Sequence, residues 1–579
     1  MQEAPKTLRI GIATSFHDPA IAIESDGQFF AEAFERPSQV KRAMLMAGIF
    51  PAIKELKKLI NQSPRTGEYH IRLLYSWKFS WFIKFISKCA YHIAKASLNI
   101  PLKTKRKSTP DSVWPGSRIL QIWFEDFSKM NTYILKREIF QNHKAAFYNR
   151  HTPHHLCHAA NGIYTSPFTE AIVMVLDGRG ERGSSHFYHF HNNQFHQIAS
   201  ADDSFGHFYA DITSCCGYSP RLGEEWKVMG LAAYGELDKN IYDFFDEQYE
   251  TQGLSYKLKF GDKQIRQLES ICGNFRKPQD DPMYAANLAH TAQKFYTDKV
   301  CQIAQKLSQL KLSENLVVSG GCALNSSTNG KILGHSDFKA LHIPFAPADD
   351  GNALGTVLLD YYKSNEWRGA QCSPYLGSEI SPTQIKEILK IGGNKFKEFT
   401  SKSELINYCA EQLANHKICG WIQGKAEFGP RALGNRSILA NPTMLETKNR
   451  INSRIKFRES FRPVAPTILE NFVSDYFLES QTSPYMERTL IVKPEMRAKI
   501  PAAIHKDGSA RVQTTNPNWN PLYTGLISEF HKQSGIPVLL NTSLNVMGKP
   551  LVHSITDALA IFYSTDIDFL VLNNFIVEK

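Results

Sequence analysis

Basic side chains crowd one short stretch of the chain, from Gly424 to Pro466. They are Lys425, Arg431, Arg436, Arg450, Arg454, Lys456, Arg458 and Arg462. Glycines and prolines punctuate the stretch, whereas a merely solvated basic face would carry Lys and Glu at helical spacing. Because a planar guanidinium can donate hydrogen bonds to two oxygens at once, the pattern indicates a site for phosphates or other oxyanions. A structural network of ion pairs is the alternative.

Side chains suited to the same chemistry follow in the segments HKDGSARVQ and NTSLNVMGKP. The first offers Arg511, and the second offers Asn541, Ser543 and Asn545. An amide or hydroxyl at a strand end can hold the uncharged end of a small phosphorylated molecule, while arginines hold its phosphate. Burial of unpaired arginines would be prohibitive, so we expect an anion between them.

Four histidines in HTPHHLCHAANG form a second candidate site. His154 and His158 are four residues apart, so on a helix they would share one face and could meet one metal ion. His151 and His155 have the same spacing, which leaves the register open.

Acidic residues that could complete this metal site stand at strand ends. Asp177 follows the apolar run AIVMVL, and Asp349-Asp350 precedes a small-residue turn in PADDGNALG. Two imidazoles with two carboxylates suit a borderline divalent ion such as Fe(II), Mn(II) or Zn(II). The alternative role of Asp349 and Asp350 is to cap the following helix.

Two loops could bring further groups to a cleft. Gly320-Gly321 and Asn325 follow the strand NLVVS, where backbone without a Cβ can approach an adenosine or a phosphate closely. His17 and Asp18 lie in an N-terminal hairpin loop. A histidine there could deprotonate an acceptor hydroxyl or be an ordinary surface residue.

The composition describes a folded globular protein. At 579 residues the chain should form two or three domains, and its net charge of +11 suits either nucleic acid or phosphorylated substrates. The ten cysteines include no CxxC pair, which indicates reduced thiols. The polar N-terminus and the absence of a long apolar run predict a cytoplasmic protein without a membrane span.

Strand–glycine–helix units recur through the first 360 residues, which predicts an α/β domain with nucleotide capacity. The periodicity lapses near Cys372, so we predict one α/β domain over residues 1–372 and a second over 373–579. Residues 41–148 are a basic, aromatic section that contains SWKFSWFIKFISKCAYHIAKA. Because lysines interrupt its apolar runs, we favour an amphipathic helix that caps a cleft over a membrane-surface helix. An RNA- or membrane-binding module is the non-enzymatic alternative.

Taken in order, these segments resemble the O-carbamoyltransferases that modify antibiotics, nodulation factors and related natural products. The matching motifs are SFHDPA, HHLCHAANG, VLDGRGE, EEWKVMGLAAYG, SGGCALN, ADDGNALG, QGKAEFGPRALGNRS, KFRESFRPVAP, SPYM, HKDGSARVQ and VLLNTSLNVMGKP. The resemblance implies an α/β protein with an N-terminal domain of the actin-like ATPase fold and a C-terminal domain related to the YrdC fold. The section 41–148 is poorly matched, and we expect it to shape the acceptor pocket.

The resemblance also implies a two-step reaction. The C-terminal domain would make carbamoyladenylate from carbamoyl phosphate and ATP, with Mg²⁺ on the nucleotide. The N-terminal domain would pass the carbamoyl group to a hydroxyl of a small-molecule natural product, beside Fe(II) or another divalent transition metal. No nucleic-acid partner is expected, and a homodimer is left open. A tRNA threonylcarbamoyl-type modification and carbamoyl transfer to a protein thiol are the alternatives.

Roles follow from the resemblance motif by motif. The implied metal ligands are His154, His158, Asp177 and Asp349. The implied catalytic residues are His17 as the general base, Lys227 near the adenylate, Arg431 and Lys456. Contacts to the adenylate would come from Gly321 and Asn325. Carbamoyl phosphate would be held by Arg431, Arg462 and Asn541, and the ATP phosphates by Arg436, Lys456 and Arg511.

Overall fold

A computed structural model describes residues 6–13, 17–43, 53–61, 68–77, 128–141 and 143–579 of the chain. The amphipathic helix predicted within the section 41–148 lies beyond Trp77, outside the described residues. Among the helices of the described ranges, none has both the length and the apolarity needed to cross a bilayer.

The first domain contains two five-stranded sheets of the same design. The strands of the first sheet are β1 Lys6–Ala13, β2 Ala20–Ser25, β3 Gln28–Ala33, β4 Tyr69–Tyr75 and β5 Ala145–His151. Their order is β3-β2-β1-β4-β5, with β2 and β3 antiparallel neighbours and β4 and β5 parallel to β1. A tight turn at Asp26-Gly27 joins β2 to β3, and both residues adopt the positive φ that such a hairpin requires.

The second sheet repeats this arrangement. Its strands are β6 Ala171–Leu176, β7 Ser185–His191, β8 Gln194–Ala201, β11 Asn315–Ser319 and β12 Ala340–His342. The order β8-β7-β6-β11-β12 matches that of the first sheet in sequence and in strand direction. A separate hairpin consists of β9 Tyr249–Gln252 and β10 Ser255–Leu258. The paired sheets confirm the predicted actin-like fold, although the sequence itself shows no repeat.

The helices of the first domain surround and separate these sheets. They are α1 Glu35–Ser38, α2 Ile53–Asn61, α3 Ser128–Glu138, α4 His154–Ile163, α5 Phe205–Cys215, α6 Glu225–Leu231, α7 Lys239–Glu247, α8 Asp262–Cys272, α9 Ala286–Ser308, α10 Ser326–Asn329 and α11 Gly351–Tyr361. Helices α4 and α11 pack against each other between the two sheets. Their apolar side chains fill one core with alanines and valines of β1, β2, β6 and β11, so both helices are held on all sides.

The second domain contains a nine-stranded mixed sheet with helices packed against it, which confirms the predicted α/β class. Its strands are β13 Phe396–Glu398, β14 Cys419–Ile422, β15 Arg436–Ala440, β16 Ala465–Leu469, β17 Arg488–Ile491, β18 Ser509–Thr515, β19 Val538–Ser543, β20 Phe569–Leu572 and β21 Phe575–Glu578. Its helices are α12 Pro382–Ile391, α13 Lys402–Ala414, α14 Leu445–Arg450, α15 Val473–Tyr476, α16 Pro521–Ser534 and α17 Ile555–Ser564. The relation to the YrdC fold and the boundary at Cys372 stay predictions.

Candidate active site

Two histidines and two aspartates converge between the sheets of the first domain. His154 and His158 lie one turn apart on α4, Asp177 directly follows β6, and Asp349 lies just before α11. Nε2 of His154 is 3.1 Å from Asp177 Oδ2 and 3.3 Å from Asp349 Oδ1. Nε2 of His158 is 3.3 Å from Asp349 Oδ1. We call these four residues the His–Asp cluster.

Surrounding groups fix the orientation of this cluster. Nδ1 of His158 donates to the carbonyl of Pro347 at 3.1 Å, so its Nε2 lone pair points at the carboxylates. The amide of Gly321 donates to Asp177 Oδ1 at 2.9 Å. The ring of His154 stacks on the indole of Trp77, with centroids 4.2 Å apart. Three of the four potential ligands, His154, His158 and Asp177, are therefore positioned by a second contact.

Opposite charges keep the cluster ionised. Burial disfavours the imidazolium, but Asp349 and Asp177 raise the pKa of His154 to about 10. Burial also favours a neutral Asp349, yet His154 and His158 hold the pKa of that carboxyl well below its usual range. A metal cation between the carboxylates would supply the positive charge that the protonated His154 imidazole otherwise provides.

The donor set fits a divalent transition ion. Metal–ligand bonds of about 2.1 Å place neighbouring ligand atoms about 3.0 to 3.4 Å apart. In the His–Asp cluster the separations that involve a histidine run from 3.1 to 3.8 Å, and all four ligand atoms lie within 4.8 Å of one another. Two imidazoles and two carboxylates are ligands that iron, manganese and zinc share.

The structure answers two questions that the spacing left open. His151 ends β5 and its Nδ1 contacts the carbonyl of Trp77, so His151 and His155 do not share a helix face. Asp350 caps α11 through the amide of Gly351, whereas Asp349 faces the histidines. Burial and then Asp18 raise the pKa of Asp350 to about 8, which suits a cap rather than a charged ligand.

A cavity of about 2420 Å³ extends from the His–Asp cluster into the second domain. Asp177 and Asp349 line it, while His154 and His158 lie behind them, fully buried. Its lining in the second domain includes Arg431, Lys456, Arg458, Arg462, Arg511 and Asn541. Since pockets for one ligand usually measure roughly 300–1,000 Å³, this cavity has room for more than one molecule.

Five of these cations form what we call the cationic cluster: Arg431, Lys456, Arg458, Arg462 and Arg511. Within the described part of the chain, the side chains of Arg431 and Arg511 make no hydrogen bond and no ion pair, and Nε of Arg511 is buried. The segment before Lys456 is a π-helical turn, Ile451–Ile455, an irregularity that often accompanies functional sites.

Burying these five basic side chains side by side costs electrostatic free energy when no anion lies among them. Burial lowers the pKa of Arg431 to about 10, and burial with Arg462 lowers that of Arg458 to about 9. Burial, Arg431 and Arg458 push the pKa of Arg511 well below its usual range. Because arginine keeps its proton in proteins, these directions reflect the cost of burying each charged guanidinium and, for Arg458 and Arg511, the like charges beside it. An anion bound among them would remove that cost.

Lys456 and Asn541 lie beside these arginines at the end of β19. The ammonium of Lys456 donates to the carbonyl and hydroxyl of Ser543 and to the side chain of Asn545. The amide of Asn541 donates to Gln513 Oε1 at 2.8 Å. Its own buried Oδ1 has no hydrogen-bond partner among the described residues, so it can accept a bond from a ligand.

Lys227 and Trp226 connect the two domains at the cavity. Nζ of Lys227 is 2.6 Å from Glu224 and 3.3 Å from Glu459 of the second domain. The guanidinium of Arg462 stacks over the indole of Trp226 at 3.7 Å and pairs with Glu459 at 2.7 Å. The cation–π contact and the shared carboxylate hold Arg462 at the cavity wall.

His17 lies on the first-domain side of the cavity with a carboxylate behind it. Its Nδ1 is 2.8 Å from Asp18 Oδ2, and Arg42 donates to the same oxygen at 3.2 Å and 3.3 Å. Burial opposes the imidazolium, but the bond to Asp18 raises the pKa of His17. With Nδ1 held by Asp18, Nε2 is the proton-accepting atom of the ring.

Gly321 and Asn325 also line the cavity, after β11. Asn325 caps α10 by accepting from the amide of Thr328 at 3.1 Å, and its side chain exchanges hydrogen bonds with Gln293. The turn between β11 and α10 therefore presents a fixed backbone to the cavity.

Comparison with known proteins identifies the family. Residues 116–358 match the family model described as Carbamoyltransferase N-terminus, and residues 410–579 match Carbamoyltransferase C-terminus. The chain is 34% identical to an uncharacterised protein of Synechocystis sp., over 74% of this chain and 75% of that protein. It is 32% identical to nodulation protein NolO of Bradyrhizobium diazoefficiens, over 74% of this chain and 78% of that protein. The chain belongs to the carbamoyltransferase family.

Membership makes the chain a carbamoyltransferase enzyme and confirms the resemblance found in its motifs. The N-terminal match spans the whole His–Asp cluster, and the C-terminal match spans the cationic cluster. Among solved structures, HypF of T. kodakarensis is similar over 64% of this carbamoyltransferase and 49% of its own chain, at 11% identity and a TM-score of 0.33.

Four of the eight basic residues in the segment 424–466 do not line the cavity: Lys425, Arg436, Arg450 and Arg454. Arg436 is fully buried and donates to the carbonyls of Gln423, Asn435, Ser378 and Gly424. The contact to ATP phosphates predicted for Arg436 is therefore replaced by a structural role. Arg450 pairs with Asp566 at 2.6 Å and Asp568 at 2.8 Å, which is the ion-pair alternative for this one residue.

Several cavity residues of the carbamoyltransferase had no assigned role in the sequence analysis. They are Asp18, Arg42, Trp77, Trp226 and Arg458. Glu459, which pairs with Arg462 at the cavity wall, had none either. Arg458 and Glu459 lie within the basic segment, so their place beside Arg462 could have been anticipated. The contact between Trp77 and His154 had no local signal, because it joins the end of β4 to α4.

Proposed function

We propose that this carbamoyltransferase uses ATP and carbamoyl phosphate, and that it carbamoylates a hydroxyl group. In the first step, water releases the phosphoryl group of carbamoyl phosphate as phosphate, and the carbamate oxygen attacks the α-phosphorus of ATP. Carbamoyladenylate forms and pyrophosphate leaves. In the second step, the acceptor oxygen attacks the carbamoyl carbon, AMP leaves, and the acceptor proton passes to the protein.

One observation carries this proposal: a single cavity reaches both the cationic cluster and the His–Asp cluster. Arg431 and Arg511 lack partners among the described residues and suit the phosphates of two anionic substrates. A reactive mixed anhydride formed there could reach the second cluster without leaving the protein, which would limit its hydrolysis.

Asn541 supports carbamoyl phosphate as the small substrate. Its buried Oδ1 accepts no hydrogen bond from the described residues, and a carbamoyl NH₂ group is a donor that carboxylate or plain phosphate ligands lack. Arg431 and Arg462 lie along the same cavity for the phosphate end. Lys456, with Arg511, would neutralise the ATP phosphates together with Mg²⁺.

His17 suits the general base of the second step. Asp18 holds its Nδ1, so its Nε2 can accept the acceptor proton. His154, His158, Asp177 and Asp349 would hold a divalent transition ion, which polarises an oxygen or neutralises phosphate charge when bound. Lys227, Gly321 and Asn325 line the cavity beside this cluster and would contact the adenylate.

The acceptor class follows from the size and setting of the cavity. A volume of about 2420 Å³ leaves room for a small molecule beside a nucleotide. This favours the hydroxyl of a natural product over a tRNA or protein acceptor, which would bind largely outside the cavity.

Pyrophosphate release tests the proposal. With ATP, Mg²⁺ and carbamoyl phosphate, we expect release that requires carbamoyl phosphate and increases with hydroxylated small molecules. Arg431→Ala should abolish release, whereas Arg454→Ala should not, because the Arg454 side chain is 71% exposed and pairs only at the surface with Asp566. Release that appears only with tRNA and threonine, or none at all with carbamoyl phosphate, would contradict the proposal.

A further inference from the structure

A second group of metal-binding side chains lies at the far end of the second sheet. Glu170 precedes β6, and His189 and His191 lie two residues apart on β7. Residues two apart on a strand point to the same face, so both imidazoles converge on the carboxylate. Within the described residues, this is the other set besides the His–Asp cluster whose ligand atoms lie within 4.8 Å of one another.

The distances are those of a nearly formed chelate. Oε1 of Glu170 is 2.8 Å from His189 Nε2 and 3.3 Å from His191 Nδ1. Around a tetrahedral ion with bonds of about 2.1 Å, ligand atoms lie about 3.4 Å apart. The two imidazole rings are nearly parallel, at 14° and with centroids 5.6 Å apart, so small side-chain rotations would admit an ion.

The backbone at Glu170 and His189 is held in place. The carbonyl of Glu170 accepts from Asn315 Nδ2 at 3.0 Å and from Ser313 Oγ at 3.3 Å. His189 is held in the antiparallel pairing with β6, opposite Ile172. Only the side chains therefore need to adjust when an ion binds, which lowers the entropic cost of forming the site.

Two imidazoles and one carboxylate are a ligand set for borderline divalent ions, and the fourth position can be left to water. The side chains of Glu170 and His191 are 41% and 46% exposed, so an ion has direct access from solvent. Magnesium and calcium prefer sets made of oxygen and would not be favoured here.

We infer that Glu170, His189 and His191 bind a divalent transition ion, with Zn²⁺ as the representative, at a site separate from the active site. None of the three lines the cavity. Strand β6 separates Glu170 from Asp177, a span of roughly 20 Å at about 3.3 Å per residue. The bound ion ties the start of β6 to the end of β7, so it stabilises the pairing of these two neighbouring strands.

Zinc binding to the full-length protein tests this inference. The protein is stripped with a chelator, dialysed and titrated with Zn²⁺ alone in a calorimeter. Because the His–Asp cluster also fits zinc, the readout is the difference between variants. Wild-type protein should bind one more equivalent than His191→Ala, and Glu170→Gln should weaken that added site about tenfold or more.

His531→Ala is the matched control, since it removes a histidine on α16 of the second domain. It should bind zinc as the wild type does. Zinc should also raise the melting temperature of wild-type protein more than that of His191→Ala, while carbamoyl transfer by His191→Ala stays unchanged. Equal stoichiometry and affinity in wild type, His191→Ala and Glu170→Gln would overturn the inference. Glu170→Gln keeps the shape of the side chain, so it decides the question if His191→Ala folds poorly.

Discussion

Gly355 of α11 packs directly on the backbone of Cys157 of α4: a Cβ at Gly355 would lie 2.1 Å from the Cys157 carbonyl oxygen. Helix α4 bears His154 and His158, and α11 begins just after Asp349. The close approach of these helices therefore sets the distance between the imidazoles and one carboxylate.

We expect Gly355→Ala to push α4 and α11 apart and to weaken metal binding at the His–Asp cluster by about tenfold or more, as loss of ligand positioning does elsewhere. Equilibrium dialysis with Fe(II) or Zn²⁺ measures this. Gly261→Ala is the control, because Gly261 lies just before α8, its backbone is extended, and a Cβ there would meet nothing within 4 Å. Unchanged metal affinity in Gly355→Ala would contradict the role given to this helix contact.

Arg436→Ala should destabilise the protein rather than alter nucleotide binding. The variant removes the donor to four buried carbonyls and leaves a cavity, at a cost of roughly 2–5 kcal/mol. Urea unfolding measures the loss, and the KM for ATP of the folded enzyme should stay near the wild-type value. If Arg436→Ala has normal stability and a raised KM for ATP, Arg436 contacts the ATP phosphates, as the resemblance implied.

Asp18→Asn should change the pH profile of carbamoyl transfer. A general base must be neutral, so activity rises as the pH passes the pKa of His17. The hydrogen bond to Asp18 raises that pKa against the effect of burial, and its loss should move the acidic limb to lower pH. The kcat should fall about tenfold to a hundredfold because the ring loses its orientation.

Asp26→Asn is the matched control for Asp18→Asn. Asp26 also has a positive φ, and its side chain is 66% exposed at the β2–β3 turn. Its pH profile should be that of the wild type. If the pH profile of Asp18→Asn is the same as that of the wild type, His17 is not the general base.

Asn541→Leu should raise the KM for carbamoyl phosphate about tenfold, the equivalent of one hydrogen bond, because Oδ1 is lost from the cavity wall. The KM for ATP serves as the internal control and should change little. Steady-state pyrophosphate release at varied substrate gives both constants. Equal increases in the two constants would indicate a structural role for Asn541.

Residue spacing in the sequence predicted the parts of the site that lie within a single helix or strand. The spacing of His154 and His158 was sufficient to place both on one helix face, because the helical period is local. Whether Asp349 or Asp350 faces the histidines depends on how the β12–α11 loop meets α4, which is a tertiary property. The residue pattern alone therefore left that choice open, and it was the family resemblance that pointed to Asp349.

Arg436 shows a second limit. In the sequence it resembles Arg431, but carbonyls from separate loops surround its guanidinium, whereas Arg431 faces the cavity. The duplicated sheets show a third. Strand order and strand directions repeat without repeated residues, because many apolar side chains can fill the same core.

The central claim is that one cavity forms carbamoyladenylate at the cationic cluster and consumes it at the His–Asp cluster. Direct detection of carbamoyl-AMP by mass spectrometry, after a single turnover with ATP and labelled carbamoyl phosphate, tests it. Asp349→Ala should accumulate carbamoyl-AMP even with an acceptor present, and Arg431→Ala should form none. If both variants lose carbamoyl-AMP to the same extent, or if neither does, the division of labour between the two clusters is wrong.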